Sequence, residues 1–233
     1  MKRCFMRAFW GINDNSNRIL KRKQRVEGNI KTILTNKFNE PFITYVFGKE
    51  NHKYLVDLGF KDVILIHDEP FKWDLIEYQY RHKLESILYA FKEDKYDEMV
   101  HLDWDCIPQK PLSTTFWEDL GKQEVFQANL VYYKRAKANW RASEPRKIPN
   151  GGFVYIRDNT VPEKLIKIWE TMKGPSVEPP MAKLVDEMTD GWKGIETYWK
   201  LFEPKFCCLN TKSPYSKELE DSKDKCFIHY EGG

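Results

Sequence analysis

Met99-Val100-His101-Leu102-Asp103-Trp104-Asp105 is an apolar run that ends in two carboxylates one residue apart. A carboxylate in apolar surroundings costs several kcal/mol unless a cation or hydrogen-bond donors compensate it. If the strand continues through the pair, Asp103 and Asp105 fall on one side of it, because alternate residues share a face. One divalent cation then compensates both. The plainer alternative is a strand-end turn capped by aspartates, and the pair alone does not choose between them.

What lies upstream favours a site. The segment 74–92 carries Tyr80, Leu84, Ile87, Leu88 and Phe91 at spacings of three and four, which predicts an amphipathic helix. Before it, 63–66 is a β-branched apolar run, and 49–58 reads as a helix stopped by Gly59. The run 42–47 predicts a buried strand. Residues 4–10 predict a first strand, followed by a turn-rich stretch and a basic helix over 18–34. Strands alternating with helices imply a mixed, mostly parallel central sheet with helices on both faces, an α/β fold. Such sheets bind ligands outside the carboxyl ends of their strands, where Asp103 and Asp105 fall.

Downstream, 124–127 and 131–133 are strand candidates, and 134–147 is polar and basic. Asn150-Gly151-Gly152 leads into a strand over 153–156. Thr160 and Glu163 have the spacing of a capping box, opening a helix with Leu165, Ile168, Trp169 and Met172 on one face. A loop over 173–180, a helix over 181–188 and late strands over 206–209 and 226–229 complete the reading. The expectation is one domain over 1–233, with a nucleotide-binding half (1–112) and an acceptor-binding half (113–233).

At 233 residues with 41% hydrophobic content the chain can bury a full-sized core. It contains no apolar stretch long enough to span a bilayer, and its charged first residues lack a signal peptide's apolar centre. Five cysteines without paired spacing suit free thiols and a cytoplasmic setting. A net charge of +3 is too slight to imply nucleic-acid binding.

Other residues carry weaker signals. His229 ends the last apolar run, and an imidazole beside two carboxylates favours Mn²⁺ over Mg²⁺. Asn150-Gly151-Gly152 lets backbone approach a ligand closely, although a simple turn explains the tripeptide as well. Asp186-Glu187 reads first as an exposed helix edge and second as a source of carboxylates for sugar hydroxyls. Lys83 flanks the apolar face of the 74–92 helix, where a cation reaches a diphosphate; most such lysines only solvate. The basic stretch around Trp140 and the basic helix suit an acidic glycan or an anionic membrane surface, or nothing more than solvent.

In this order the motifs resemble those of GT-A glycosyltransferases, particularly the retaining galactosyltransferase and glycogenin-like family. The resemblance rests on Lys83-Leu84, His101-Leu102-Asp103-Trp104-Asp105, Lys110-Pro111-Leu112, Asn150-Gly151-Gly152-Phe153, Asp186-Glu187 and His229-Tyr230-Glu231-Gly232. It implies a Rossmann-like GT-A domain that transfers a hexose, with retention, from a UDP-sugar to a glycan, lipid-linked or other hydroxyl acceptor. Mn²⁺ (or Mg²⁺) would be held by Asp103, Asp105 and His229. Phe9, Trp10, Gly11 and Ile12 would border the base and ribose, with Trp104 beside the donor. Lys83, Asn150, Gly151, Gly152 and Asp186 would surround the diphosphate and sugar. Glu187 stands where the family often has an amide, and the family's Lys-Pro-Trp after the terminal glycine has no counterpart before Gly233. Two other classes share some features: a sugar-phosphate nucleotidyltransferase, and a carbohydrate-binding protein with aromatic platforms. The single glycine and absent lysine in the loop after the first strand count against the former.

Overall fold

The computed structural model describes residues 1–11, 39–70, 81–104, 106–108, 112–120, 127–133, 146–172, 180, 181, 183, 184, 187, 207–209 and 227–229. Its centre is a six-stranded sheet built from β1 (Arg3–Phe9), β2 (Phe42–Phe47), β3 (Val63–His67), β4 (Glu98–Leu102), β6 (Gln127–Tyr133) and β7 (Arg146–Ile156). The spatial order is β3-β2-β1-β4-β7-β6. β1 through β4 are mutually parallel, and β7 runs antiparallel to both of its neighbours. The mixed, mostly parallel sheet expected from the strand–helix alternation is what forms.

The alternation of side chains along each strand divides the core. Cys4, Met6, Ile43, Tyr45, Met99, Val154 and Ile156 face α2 (Arg81–Lys92) and α4 (Val161–Met172), which supply Leu84, Ile87, Leu165 and Trp169. The opposite face carries Phe5, Val100, Leu102, Phe153 and Tyr155 against Phe116, Trp117 and Leu120 of α3 (Phe116–Leu120). On that same face, Phe9 and Val46 meet Leu55 of α1 (Lys49–Asp57). Helices therefore cover both faces, and burial of these large side chains is the main stabilising term, about 2 kcal/mol or more for each.

A second sheet of three short strands has the order β5-β9-β8: β5 (Cys106–Pro108), β8 (Cys207–Leu209) and β9 (Phe227–His229). The two late apolar runs of the sequence thus join the segment that directly follows the acidic pair.

Three expectations need correction. Residues 127–133 form one strand, because β7 pairs with both of its ends, Gln127 and Ala128 on one side and Leu130 to Tyr133 on the other. Asn150-Gly151-Gly152 is not a turn before a strand; it lies within β7. There the register jumps: Ala128 faces Val154 and Leu130 faces Pro149, so 150–153 lie opposite Asn129 alone, a bulge that glycine tolerates. At the start of α4, Thr160 does not form the reciprocal box with Glu163. Its hydroxyl donates to Asp158 (2.7 Å), while Glu163 reaches Lys92 on α2 at 2.5 Å. The 18–34 helix, the start of the 74–92 helix and the basic stretch around Trp140 lie outside the described residues.

Candidate active site

β4 ends at Leu102, one residue before the acidic pair, so the expected continuation of the strand through Asp105 does not occur. The Asp103 amide donates to the Gly152 carbonyl at 2.8 Å, and the Cys106 amide donates back to the Asp103 carbonyl at 2.9 Å. The second bond closes a tight turn, which ends the two-residue periodicity on which a shared face was based. Asp105 itself lies outside the described residues. The glycine segment of β7 does meet the motif, through the Gly152 carbonyl.

Parallel strands and antiparallel return helices place the start of α2 at the carboxyl edge of the sheet, beside this turn. Lys83 in the first turn of α2 is almost buried, and its ammonium lies 2.5 Å from Oδ1 and 2.7 Å from Oδ2 of Asp103. The Asp103 side chain remains 23% exposed.

Arg7 is a component that sequence reasoning missed. It shares the β1 face of Phe5 and Phe9, and its guanidinium lies between two rings, 4.3 Å from Phe42 and 4.4 Å from Trp104. All three of its nitrogens are buried without a hydrogen-bond partner among the described residues. Burial lowers its pKa to about 9, opposed by the Cys106 thiol and by Asp103, so it stays charged at neutral pH. The signal was legible only as a lone charge at an inward position of an apolar strand. His101, on the other face of β4, is neutral: desolvation pushes it to about 3, Asp103 opposes this, and Lys83 and Arg7 add to it. Its Nε2 is also buried without a partner.

Trp104 turns its ring inward rather than into open space. Its indole N–H donates to the Ala8 carbonyl at 2.7 Å, and its ring meets Phe9 and Phe60 edge-on at 5.3 and 5.8 Å. Phe9 belongs to the same buried cluster. Trp10, just past β1, stacks on His82 at 5.1 Å, and His82 meets Phe47 at 4.4 Å. His82 is a second residue that periodicity did not single out. Gly11 follows at φ 75°, a backbone region that side chains disfavour and that suits a sharp exit from the strand. Ile12 lies outside the described residues.

His229 enters through the small sheet. In the antiparallel pairing of β5 with β9, its Cα partner is Cys106, the residue after Asp105. The chain's last histidine is thus carried to the acidic turn by backbone pairing across more than half the sequence. Asn150 lies in β7 at the start of the bulge. Glu187 is half-exposed on helical backbone and lies 4.0 Å from Lys183 one turn earlier, an exposed helix edge. Asp186 lies outside the described residues.

Carboxylate oxygens from Asp103 are donors of the kind that suit Mn²⁺ or Mg²⁺, and the Lys83 ammonium beside them is a cation of the kind that suits phosphate. Among the described residues no three His, Cys, Asp or Glu side chains cluster as a metal site. Among the same residues, Cys4 and Cys106 are buried and form no disulfide, and no helix is long and apolar enough to cross a membrane.

No protein-family model and no curated protein matches the sequence. Solved structures do match the fold. Mouse xyloside xylosyltransferase 1 superposes with a TM-score of 0.60 at 9% identity, covering 100% of this chain and 98% of that one. A glycosyltransferase involved in glycosylation of the major capsid of PBCV-1 gives 0.53 at 12% identity, over 100% and 94%. The galactosyltransferase LgtC, solved with donor and acceptor sugar analogs, gives 0.52 at 14% identity, over 98% and 87%.

Proposed function

We propose that this chain, which has the fold of the GT-A glycosyltransferases, is a metal-dependent hexosyltransferase that uses a nucleotide sugar, UDP-linked, as donor. The observation that carries the reading is the convergence of Asp103, Lys83 and the His229 strand at the carboxyl edge of a parallel sheet. Parallel sheets of this kind hold their ligands there.

In this reading Asp103, Asp105 and His229 hold Mn²⁺, which when bound supplies Lewis-acid charge to the donor diphosphate. Lys83 adds a second cation on the helix side, stabilising negative charge as the nucleoside diphosphate departs. The Trp10–His82 stack and the Gly11 backbone form the base-side wall. Asn150, the 151–152 backbone and Asp186 line the sugar. The bond between the anomeric carbon and the phosphate oxygen breaks as an acceptor hydroxyl attacks. With retention, the departing phosphate takes the hydroxyl proton on the same face; with inversion, a carboxylate such as Glu187 takes it from the opposite face. One structural relative is a glutamine-to-glutamate active-site mutant of LgtC, superposing at a TM-score of 0.55 and 13% identity. Glu187 places a native carboxylate where the family often has an amide. The acceptor is a glycan or a lipid-linked hydroxyl at a cytoplasmic membrane face.

The test is nucleoside-diphosphate release from a panel of UDP- and GDP-sugars with and without Mn²⁺, in the wild type and Asp105→Asn. The expected result is manganese-dependent release by the wild type that Asp105→Asn lowers by about 100-fold or more. Pyrophosphate release would indicate a nucleotidyltransferase, and glycan binding without turnover a binding protein.

A further inference from the structure

We propose that Arg7 and Phe42 position the Asp103–Cys106 turn by clamping the Trp104 ring, so that the Asp103 carboxylate next to that ring is presented in one fixed arrangement. The inference deepens the metal reading above and rests on it for its consequence, though not for its geometry.

An arginine whose nitrogens are all buried and unpaired is hard to explain as a stabilising residue. An apolar side chain of similar volume fills the same space without the desolvation cost. What Arg7 has is two ring faces, Phe42 on one side and Trp104 on the other, at 4.3 and 4.4 Å. Desolvated cation–ring contacts are the strong ones, because no water competes for the cation. The stack runs from β2 through β1 to the motif. Trp104 is held on its other sides by the Ala8 carbonyl and by the Phe9 and Phe60 rings. Phe9 and Ala8 lie on β1, so the clamp is anchored in the most central part of the sheet.

Trp104 is the residue between the two carboxylates. A locked ring fixes its χ1 and, with the Cys106-to-Asp103 bond, the backbone at Asp103 that precedes it. Outer groups that orient metal ligands typically change metal affinity by about 10- to 100-fold when removed. Arg7 touches neither metal nor substrate in this scheme; it is a positioning residue that acts through Trp104.

The experiment compares wild type with Arg7→Met, Arg7→Lys, Phe42→Leu, Trp104→Leu and the Arg7→Met/Trp104→Leu double variant. Hydrogen exchange of the peptide spanning 102–107 reads the turn, and Mn²⁺ titration followed by electron paramagnetic resonance reads the ligands. Arg7→Met is expected to speed exchange of the Cys106 amide and to weaken manganese binding about 10-fold, with a melting temperature no lower than that of the wild type. Arg7→Lys should fall between wild type and Arg7→Met, because an ammonium keeps a cation against a ring but has no planar face to stack between two. Phe42→Leu should show the same pattern more weakly, and it keeps the test open if the Arg7 variants do not fold. The double variant should be no worse than Trp104→Leu alone. Unchanged exchange in Arg7→Met, full recovery in Arg7→Lys, or losses that add in the double variant each overturn the clamp. A wild type that binds no manganese sinks the metal reading, while the exchange result still decides the clamp.

Discussion

Arg3 and Arg7 lie on the same strand and on the same face of the sheet, yet they meet opposite surroundings. At the amino end, the Arg3 Nε donates to Glu98 Oε1, the Tyr155 hydroxyl donates to Glu98 Oε2, and Glu98 is 1% exposed. Nearby, the Tyr45 hydroxyl donates to Asp94 at 2.5 Å, and the Lys2 amide donates to Asp97. The parallel register that sets Arg3 beside Glu98 runs on through Met6 and His101, carrying Arg7 towards apolar Leu102. Arg3 thus has a carboxylate beside its Trp117 ring, 5.6 Å away, whereas Arg7 lies against the rings of Phe42 and Trp104. Among the described residues, the amino end pairs the charges of Arg3 and Glu98 and leaves only the Trp117 indole N–H without a partner there, whereas the other end leaves the Arg7 guanidinium and the His101 Nε2 without one. Satisfied networks serve stability, and unsatisfied buried groups persist where something other than stability retains them.

The largest expected effect is at the satisfied edge. Glu98→Ala removes a buried acceptor, orphans the Tyr155 hydroxyl and leaves a cavity, so it should cost about 3 kcal/mol in chemical denaturation. Manganese affinity should not change. Weakened manganese binding in this variant would break the division between the two edges.

Next in size is an alkaline limb of the stability curve. Burial first, then hydrogen bonds to Asp94 and Glu98, raise the Tyr45 and Tyr155 phenols above the ordinary value of 10. The native state therefore keeps protons that the unfolded chain releases above pH 10. By linkage, their contribution is complete below pH 10 and falls as pH rises, by up to about 1.4 kcal/mol per pH unit for each phenol. Tyr45→Phe should flatten the slope measured by urea unfolding between pH 9 and 11. A slope identical to wild type would show that Asp94 does not act through the phenol.

The two edges also differ in how far they can be read from sequence. The apolar runs of β1, β2, β3 and β4 announce themselves, and the spacing of Leu84, Ile87 and Phe91 announces α2, because local periodicity is what burial imposes on a buried element. β7 was half-hidden: Arg146 to Gly152 looks like loop, and only pairing with β6 and β4 makes it strand. Asp103, Lys83 and His229 were each legible as chemistry-bearing residues. The family resemblance implied that they share one site, but spacing along the chain did not, because the Cys106–His229 register joins segments more than a hundred residues apart. Arg7 was invisible for a different reason. A lone arginine in a strand says nothing about its neighbours until the fold supplies Phe42 on one side and Trp104 on the other.

The smallest stability effect is the most discriminating. Arg7→Met should leave the protein as stable as wild type or more stable by about 1 kcal/mol, since a buried cation without hydrogen bonds is exchanged for an apolar side chain of similar size. The sign follows from the titration: burial lowers the Arg7 pKa to about 9, so below that pH the folded state carries a charge that the unfolded chain accommodates more easily. The penalty is present throughout the neutral range and is relieved only as pH rises past 9. Urea unfolding at pH 7 measures it directly. A loss of several kcal/mol would mean that the two ring contacts more than repay desolvation. Arg7 would then be a structural cation like Arg3, and the contrast between the two ends of β1 would no longer separate stability from function.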